Sequence, residues 1–396
     1  CCPTAAVHAL EIAATRGLHS DESVCHCSGA MSCLVDVAEK PDARKLLKRY
    51  FGYHPVIGKE DGMDKALTLL GKNEEFLMSL SWDPEWIEAA ATRGFFPMAT
   101  LLGSNMVVGL IKIHHQRCVV HPLTDLHFHK SVKKKGSGCR LAPVLRKDMP
   151  QLEGPATALL TRQDAHEEVP VAQAGNTKGG VGKGAGRQGQ AALCVQGLLP
   201  LPTPAWKARY VLTMDCSFTA VCKGCVRQHG YNWLVPPLER SFSQMNAEQE
   251  KYRMKVHSFE LWNTTTGEMC AGEIGYRVGS VYTSLTGFCR MSSSRKAKRF
   301  SPEFEALRER LDVSDLSFYG SGSIQMAALG RLLQRSGLQM WDFGMHMQYK
   351  EDMGAHELDR KEFLETYAQL GAVDTPIRCA AGGESVAELL KWVPPS

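Results

Sequence analysis

The sequence predicts an α+β fold, a mixed sheet with helices, joined to a small N-terminal domain. Three observations carry that expectation. Between Met254 and Ala355 three strand-like runs follow one another, at 257–262, 269–276 and 281–288. The first two are separated by Thr264-Thr-Thr-Gly-Glu268, a composition of turn formers, so the runs read as an antiparallel meander. After a glycine-punctuated loop, Ser321 to Gly337 places Ile324, Ala327, Ala328 and Leu332 at helical spacing, and 338–342 resumes a strand. One helix therefore crosses between strands.

Taken in order, residues 1–80 carry short helical patterns and read as an N-terminal extension. Their Cys25-His-Cys27 group with Cys33 has no second pair at the spacing of a structural zinc site, so free thiols and no metal are expected. Residues 81–135 form the small N-terminal domain. There Asp83-Pro84 opens a helix with an N-cap acid and a proline at its first position; Trp86, Ile87, Ala90 and Ala91 are its apolar side, and Gly94 ends it. Residues 136–206 lose periodicity and gain Gly, Pro, Ala and Gln, which predicts a low-complexity, disordered insertion. Within it, Lys178-Gly-Gly-Val-Gly-Lys183-Gly184 has a glycine where a phosphate loop needs a metal-binding hydroxyl, and no flanking strand and helix. Residues 207–396 are the larger, sheet-bearing domain. Its Asp342-Phe-Gly344 lacks the accompanying catalytic loop of a protein kinase, and Cys222 and Cys225 lie at helical spacing, which favours packing over a metal or redox role.

The chain has 396 residues, 44% of them apolar, and a formal charge of +4. That length allows a sizeable core in about two domains, and so mild a charge does not identify a nucleic-acid binder. Basic residues nevertheless cluster at 130–140 and 290–299, where each group could neutralise several phosphates. Fourteen cysteines scattered through a long chain point to reduced thiols and a cytoplasmic setting, although no initiating Met is present and a preceding targeting segment stays open. The longest apolar run, Ala191 to Trp206, is broken by three prolines, so no membrane partner is expected.

Several segments together resemble the leucyl/phenylalanyl-tRNA–protein transferases, enzymes that append an amino acid from charged tRNA to protein N termini. Ser81 to Pro84 and Arg93-Gly-Phe-Phe-Pro97 look like that family's helix and RG-[IL]-FPW, and Leu126-His-Phe-His-Lys130-Ser-Val-Lys133 is similar to LH-[IV]-SRSM[KR]. Tyr210 to Asp215 with Phe218 and Gly224-Cys225 resembles YRVTMN…F…GCA, and Asn232-Trp-Leu234 resembles TWI. His257 to Trp262, then Gly272 and Gly275, look like HSIEVW…GGMYG, while Trp341-Asp342 and Gly354-Ala355 are similar to ID…LGA. The resemblance covers residues 81–135 and 208–368. It implies an acetyltransferase-like (GNAT-like) catalytic domain, no cofactor, and aminoacyl-tRNA and an acceptor N terminus as partners. Three positions depart from the pattern. Leu285 stands at the glutamate of GES-[ML]-FS, Gly344 at the glutamine two residues after the aspartate, and Met98 at the tryptophan after FP.

Such a reaction needs a free α-amine, with a pKa of about 8, to attack an ester carbonyl, so the site must chiefly orient the amine, steady the oxyanion and accept a proton. By resemblance Asp342 would hold the amine or relay its proton. Glu273, one strand from Leu285, is a candidate replacement acid, and Tyr282 and Ser284, on one strand face, are candidate donors. Phe96, Met98, Trp233 and Phe288 are candidates for an apolar amino-acid pocket. Lys130, Lys133, Lys134 and Arg295 are the expected phosphate contacts to tRNA. Two other readings remain: an acyl-CoA-dependent N-acyltransferase, from Tyr319-Gly-Ser-Gly322 before a helix, and an inactive binding module for tRNA or N termini, from Leu285 and Gly344.

Overall fold

The computed structural model describes residues 34–52, 54–71, 74–102, 106–136, 210–230, 233–264, 267–290 and 320–393. The Cys25 group, nearly all of the 136–206 insertion with its 178–184 glycine segment, and Arg295 lie outside the described residues.

Strands β1 (Val35–Asp36), β2 (Val56–Ile57), β3 (Phe76–Ser79), β4 (Phe96–Leu102) and β5 (Met106–Lys112) make a five-stranded sheet. In it β5 lies between β3 and β4, both antiparallel to it. Residues 34–80 thus share a sheet with residues 96–112, and strand pairing runs across position 80. Helices α1 (Ala43–Tyr50), α2 (Met63–Leu69) and α3 (Pro84–Ala91) accompany these strands. Helix α3 keeps its proline start and buries Trp86, Ile87, Ala90 and Ala91 as expected. Its N-cap differs. The Asp83 side chain makes no cap bond and instead meets Lys59 Nζ at 3.0 Å, because a nearby ammonium competes with the backbone for the carboxylate.

A second sheet holds eight strands in the order β12-β6-β11-β10-β9-β8-β7-β13. They are β6 (Gln116–Val120), β7 (Tyr210–Met214), β8 (Lys255–Asn263), β9 (Glu268–Val278), β10 (Val281–Cys289), β11 (Met340–Gly344), β12 (His356–Asp359) and β13 (Glu384–Ser385). Strands β8, β9 and β10 form the expected antiparallel meander, and β11 runs parallel to β10. Helix α4 (Lys130–Gly136) precedes β7; α5 (Phe218–His229) and α6 (Pro236–Ala247) follow it; α7 (Ser321–Arg335) makes the crossover; and α8 (Gln348–Glu351), α9 (Arg360–Gly371) and α10 (Val386–Lys391) close the chain.

Alternation along the central strands sends side chains into two cores. Phe259, Leu261 and Tyr282 pack with Ile324, Leu329 and Leu332 of α7 on one face. Val256, Trp262 and Ile274 pack with α5, α6 and α9 on the other. The architecture is therefore mixed α+β, with helices on both faces of the larger sheet. Six described cysteines are free, four of them buried, whereas Cys216 is disulfide-bonded, so the all-thiol expectation fails at that residue. No helix among the described residues is long and apolar enough to cross a membrane.

Two irregularities position the site. The pairing of β10 with β9 skips Leu285, between Ser284 and Thr286, and the pairing of β11 with β6 skips Phe343, between Asp342 and Gly344. Extra residues of this kind bend a strand and re-aim its side chains. Both bulges lie at or next to positions that depart from the transferase pattern, Leu285 and Gly344.

Candidate active site

A cavity of about 360 Å³ opens where β10 and β11 meet β4, α5 and the first turn of α7. Phe96, Met98, Trp233 and Phe288 all line it, so four residues distant in sequence converge as the apolar-pocket expectation requires. Phe96 and Trp233 lie with ring centroids 6.2 Å apart. Phe288 fits because two glycines make room: a Cβ at Gly224 would come within 2.4 Å of its ring, and one at Gly272 within 2.7 Å. A third, Gly275, sits under the Tyr282 ring, where a Cβ would lie 2.3 Å from the hydroxyl.

Glu273 and Ser284 face the same cavity. The Glu273 carboxylate accepts from Ser284 Oγ at 2.5 Å and from Tyr282 Oη at 3.2 Å. Ser284 in turn accepts from Trp341 Nε1 at 2.8 Å, which fixes its hydroxyl toward the acid. Tyr282 is itself wholly buried and supports Glu273 from behind. Burial raises the Glu273 carboxyl to about 7, the hydrogen bonds from Ser284 and Tyr282 opposing it only in part. A carboxyl of that kind is divided between acid and base near neutrality, which suits proton transfer.

Asp342 is placed differently from expectation. Its side chain is fully buried and does not line the cavity. Both oxygens accept from Arg117, Nε and Nη2 each at 2.8 Å, and Thr283 Oγ1 at 3.0 Å and the Gly344 amide at 2.9 Å complete its shell. With those donors in place the carboxylate is occupied, and its work is to tie β6, β10 and β11 together beside the site. Leu285 does line the cavity, at the position that the β10–β9 pairing skips.

The cavity also carries three nitrogen-bearing side chains that sequence reasoning missed. Lys112, His114 and Lys350 line it, at 6%, 9% and 7% exposure. Burial and the nearby cations Arg117, Lys112 and Lys350 push the His114 imidazole down to about 2, so it is neutral at ordinary pH. Lys112 ends an apolar run, Met106-Val-Val-Gly-Leu-Ile-Lys112, a position where a charge is either the strand's exit to solvent or a buried group. Only the fold separates the two.

Of the expected tRNA contacts, Lys130 and Lys134 are exposed and Lys133 half-buried on α4, away from the cavity wall. Helix α4 packs on α7: a Cβ at Gly136 would lie 3.5 Å from Ile324 Cγ2. In the first turn of α7 Gly322 stands against Cys289, whose Sγ would lie 3.3 Å from a Cβ at residue 322. Cys222 and Cys225 are buried in α5 and serve the core. Among the described residues no group of three or more His, Cys, Asp or Glu could hold a metal.

Residues 203–316 match the family model described as leucyl/phenylalanyl-tRNA protein transferase. A leucyl/phenylalanyl-tRNA–protein transferase of Chromobacterium violaceum is 27% identical over 161 residues, which are 40% of this chain and 54% of that protein. One of Syntrophobacter fumaroxidans is 23% identical over 165 residues, 40% of this chain and 56% of that protein. The chain thus spans about half the length of the curated relatives it matches.

Proposed function

We propose that this chain is a divergent member of the leucyl/phenylalanyl-tRNA protein transferase family, and that it moves an amino acid of the Leu or Phe type from charged tRNA to the N-terminal α-amine of an acceptor protein. The observation that carries this reading is the pairing of Glu273 with Ser284 on the cavity wall, beside an apolar pocket made of Phe96, Met98, Trp233 and Phe288. The fold reads as GNAT-like on the same grounds: an antiparallel meander, a crossover helix, then a parallel strand.

In this account the acceptor amine approaches Glu273, the apolar residues hold the transferred side chain, and Glu273 takes the proton that the amine loses. Glu273 stands one strand from Leu285, so the acid is relocated across the β9–β10 pair rather than lost. Ser284 and Tyr282 hold the carboxylate, and Asp342 acts at a distance by fixing the β10–β11 junction. Lys130, Lys133, Lys134 and Arg295 are assigned to the tRNA backbone. The setting is cytoplasmic, and the product N terminus would mark its protein for degradation.

The test is transfer of labelled Leu or Phe from charged tRNA to a peptide that begins with Arg or Lys. Transfer by the parent protein, lost in Glu273→Gln, supports the reading. Charged tRNA that binds without transfer would instead favour the inactive binding module.

A further inference from the structure

The cavity holds a buried charge, besides Glu273, for which proton transfer has no use and which, among the described residues, has no carboxylate in direct contact. Lys350 is 7% exposed, and its ammonium donates to the carbonyls of Phe343 at 2.8 Å and Met345 at 2.6 Å. An ammonium has three donors, so one remains after those two bonds. Among the described residues no carboxylate stands within ion-pair distance of it; Lys112, by contrast, has Glu75 at 3.7 Å. A buried cation with no carboxylate in direct contact is costly, a ligand on its open side would lower that cost, and this cation lies on a cavity wall.

Its position adds to the argument. Phe343 and Met345 flank Gly344, where β11 bulges and the transferase pattern has glutamine. Gly344 has φ +71°, and the nearest heavy atom to a Cβ there is Phe96 Cε2 at 3.9 Å. The missing side chain leaves room there, and the Lys350 ammonium, from α8, bonds the carbonyls on either side of Gly344. Glu273 lies within electrostatic range, and each residue shifts the other's ionisation.

We propose that Lys350 is a catalytic residue, donating from its remaining N–H to the carbonyl oxygen of the acyl donor and holding the negative charge that develops there. The inference rests on the acyl-transfer reading. The amine nitrogen forms a bond to the carbonyl carbon, and the carbonyl π pair moves onto oxygen, facing Lys350. The nitrogen's proton passes to Glu273. As the C=O bond reforms, the ester C–O bond breaks, and the ribose oxygen leaves with the pair and takes the proton from Glu273. The products are an amide and a free ribose hydroxyl, and Lys350 and Glu273 end as they began.

The experiment uses the full chain with leucyl-tRNA and a peptide that begins with Arg, measuring kcat and the KM for charged tRNA in the parent, Lys350→Met, Lys350→Gln and Lys350→Arg. Loss of an oxyanion donor is expected to lower kcat by about 100-fold in Lys350→Met. The KM should stay within about threefold, and Lys350→Arg should retain at least roughly a tenth of the parent kcat. Lys350→Gln, which can still bond one carbonyl, should show the same kcat loss with a melting temperature near the parent's, separating the charge from a folding defect. A kcat within about threefold of parent in both neutral variants, or a loss confined to KM, overturns the proposal and leaves the acyl-transfer reading intact. A parent that transfers nothing overturns both.

Discussion

Replacing Asp342 with Ala should unfold this protein more readily, and loss of activity in that variant would not make Asp342 a catalytic residue. The carboxylate is 0% exposed and Arg117 is 1% exposed, with two bonds of 2.8 Å between them. Thr283 and the Gly344 amide donate to the same carboxylate. The substitution strands those donors and a buried guanidinium whose Nη1 has no partner even in the intact protein. Breaking one side of a buried pair costs about 3–5 kcal/mol. Arg117→Leu should cost a similar amount by leaving the carboxylate without its counter-charge. The double variant Arg117→Met/Asp342→Leu removes both charges and keeps apolar volume between the Phe96 and Phe363 rings, which lie 5.2 and 5.0 Å from the guanidinium carbon. It should cost less than either single change. Urea unfolding followed by circular dichroism at pH 7 gives all three free energies. A cost below about 1 kcal/mol for Asp342→Ala, or costs that add in the double variant, would refute the account of this pair.

Three further outcomes follow from the site. His114 has its folded pKa depressed from 6.5 to about 2, so between those values the unfolded chain binds a proton that the folded one refuses. Stability from this residue is therefore complete above about pH 6.5 and is lost as pH falls, by at most about 1.4 kcal/mol per pH unit. His114→Gln should flatten the acid limb of a stability–pH curve, and an unchanged slope between pH 6 and 4 would show that the imidazole is not buried neutral. Gly224→Ala drives a methyl into the Phe288 ring, at 2.4 Å, and should cost about 1–3 kcal/mol while raising the KM for charged tRNA. If neither melting temperature nor KM moves, Phe288 is not held against Gly224. Leu285→Glu adds a carboxylate to the cavity wall beside Glu273, and a like charge should move the pH limb of activity upward from about 7. A limb that stays in place would mean that residue 285 does not face Glu273. Adding Gly344→Gln should cost about 1–2 kcal/mol more, because φ is +71° there.

The meander, the crossover helix and the strand after it were legible because each has a clean period, two in 257–262 and near 3.6 in 321–335. Phe96, Met98, Trp233 and Phe288 were legible as a group through a resemblance spread over separate segments, although no local pattern says that they meet. The rest depended on contacts that sequence spacing does not encode. Arg117 and Asp342 are 225 residues apart, and nothing in Gln116-Arg-Cys-Val-Val120 distinguishes a buried arginine from one at a strand's edge. Lys350 sits in Gln348-Tyr-Lys-Glu351, a pattern that does not mark it as buried; what shows its setting is the pair of bonds from its ammonium to the carbonyls of Phe343 and Met345. Asp83 shows the same limit on a smaller scale, since its cap role lost to Lys59, a residue 24 positions away. Glu273 was visible only as an acid one strand from Leu285; what makes it a base candidate is burial at 5% exposure and two hydroxyl donors.

The central claim is that Glu273 accepts the proton of the attacking amine. The most direct test is the pH dependence of label transfer from leucyl-tRNA to an Arg-initiated peptide, in the parent and in Glu273→Gln. The account predicts a parent rate that rises with pH through about 7 as the carboxyl ionises. It predicts that the variant loses roughly 100-fold or more in kcat, and loses that limb with it. A variant that keeps both the rate and the limb would contradict the account.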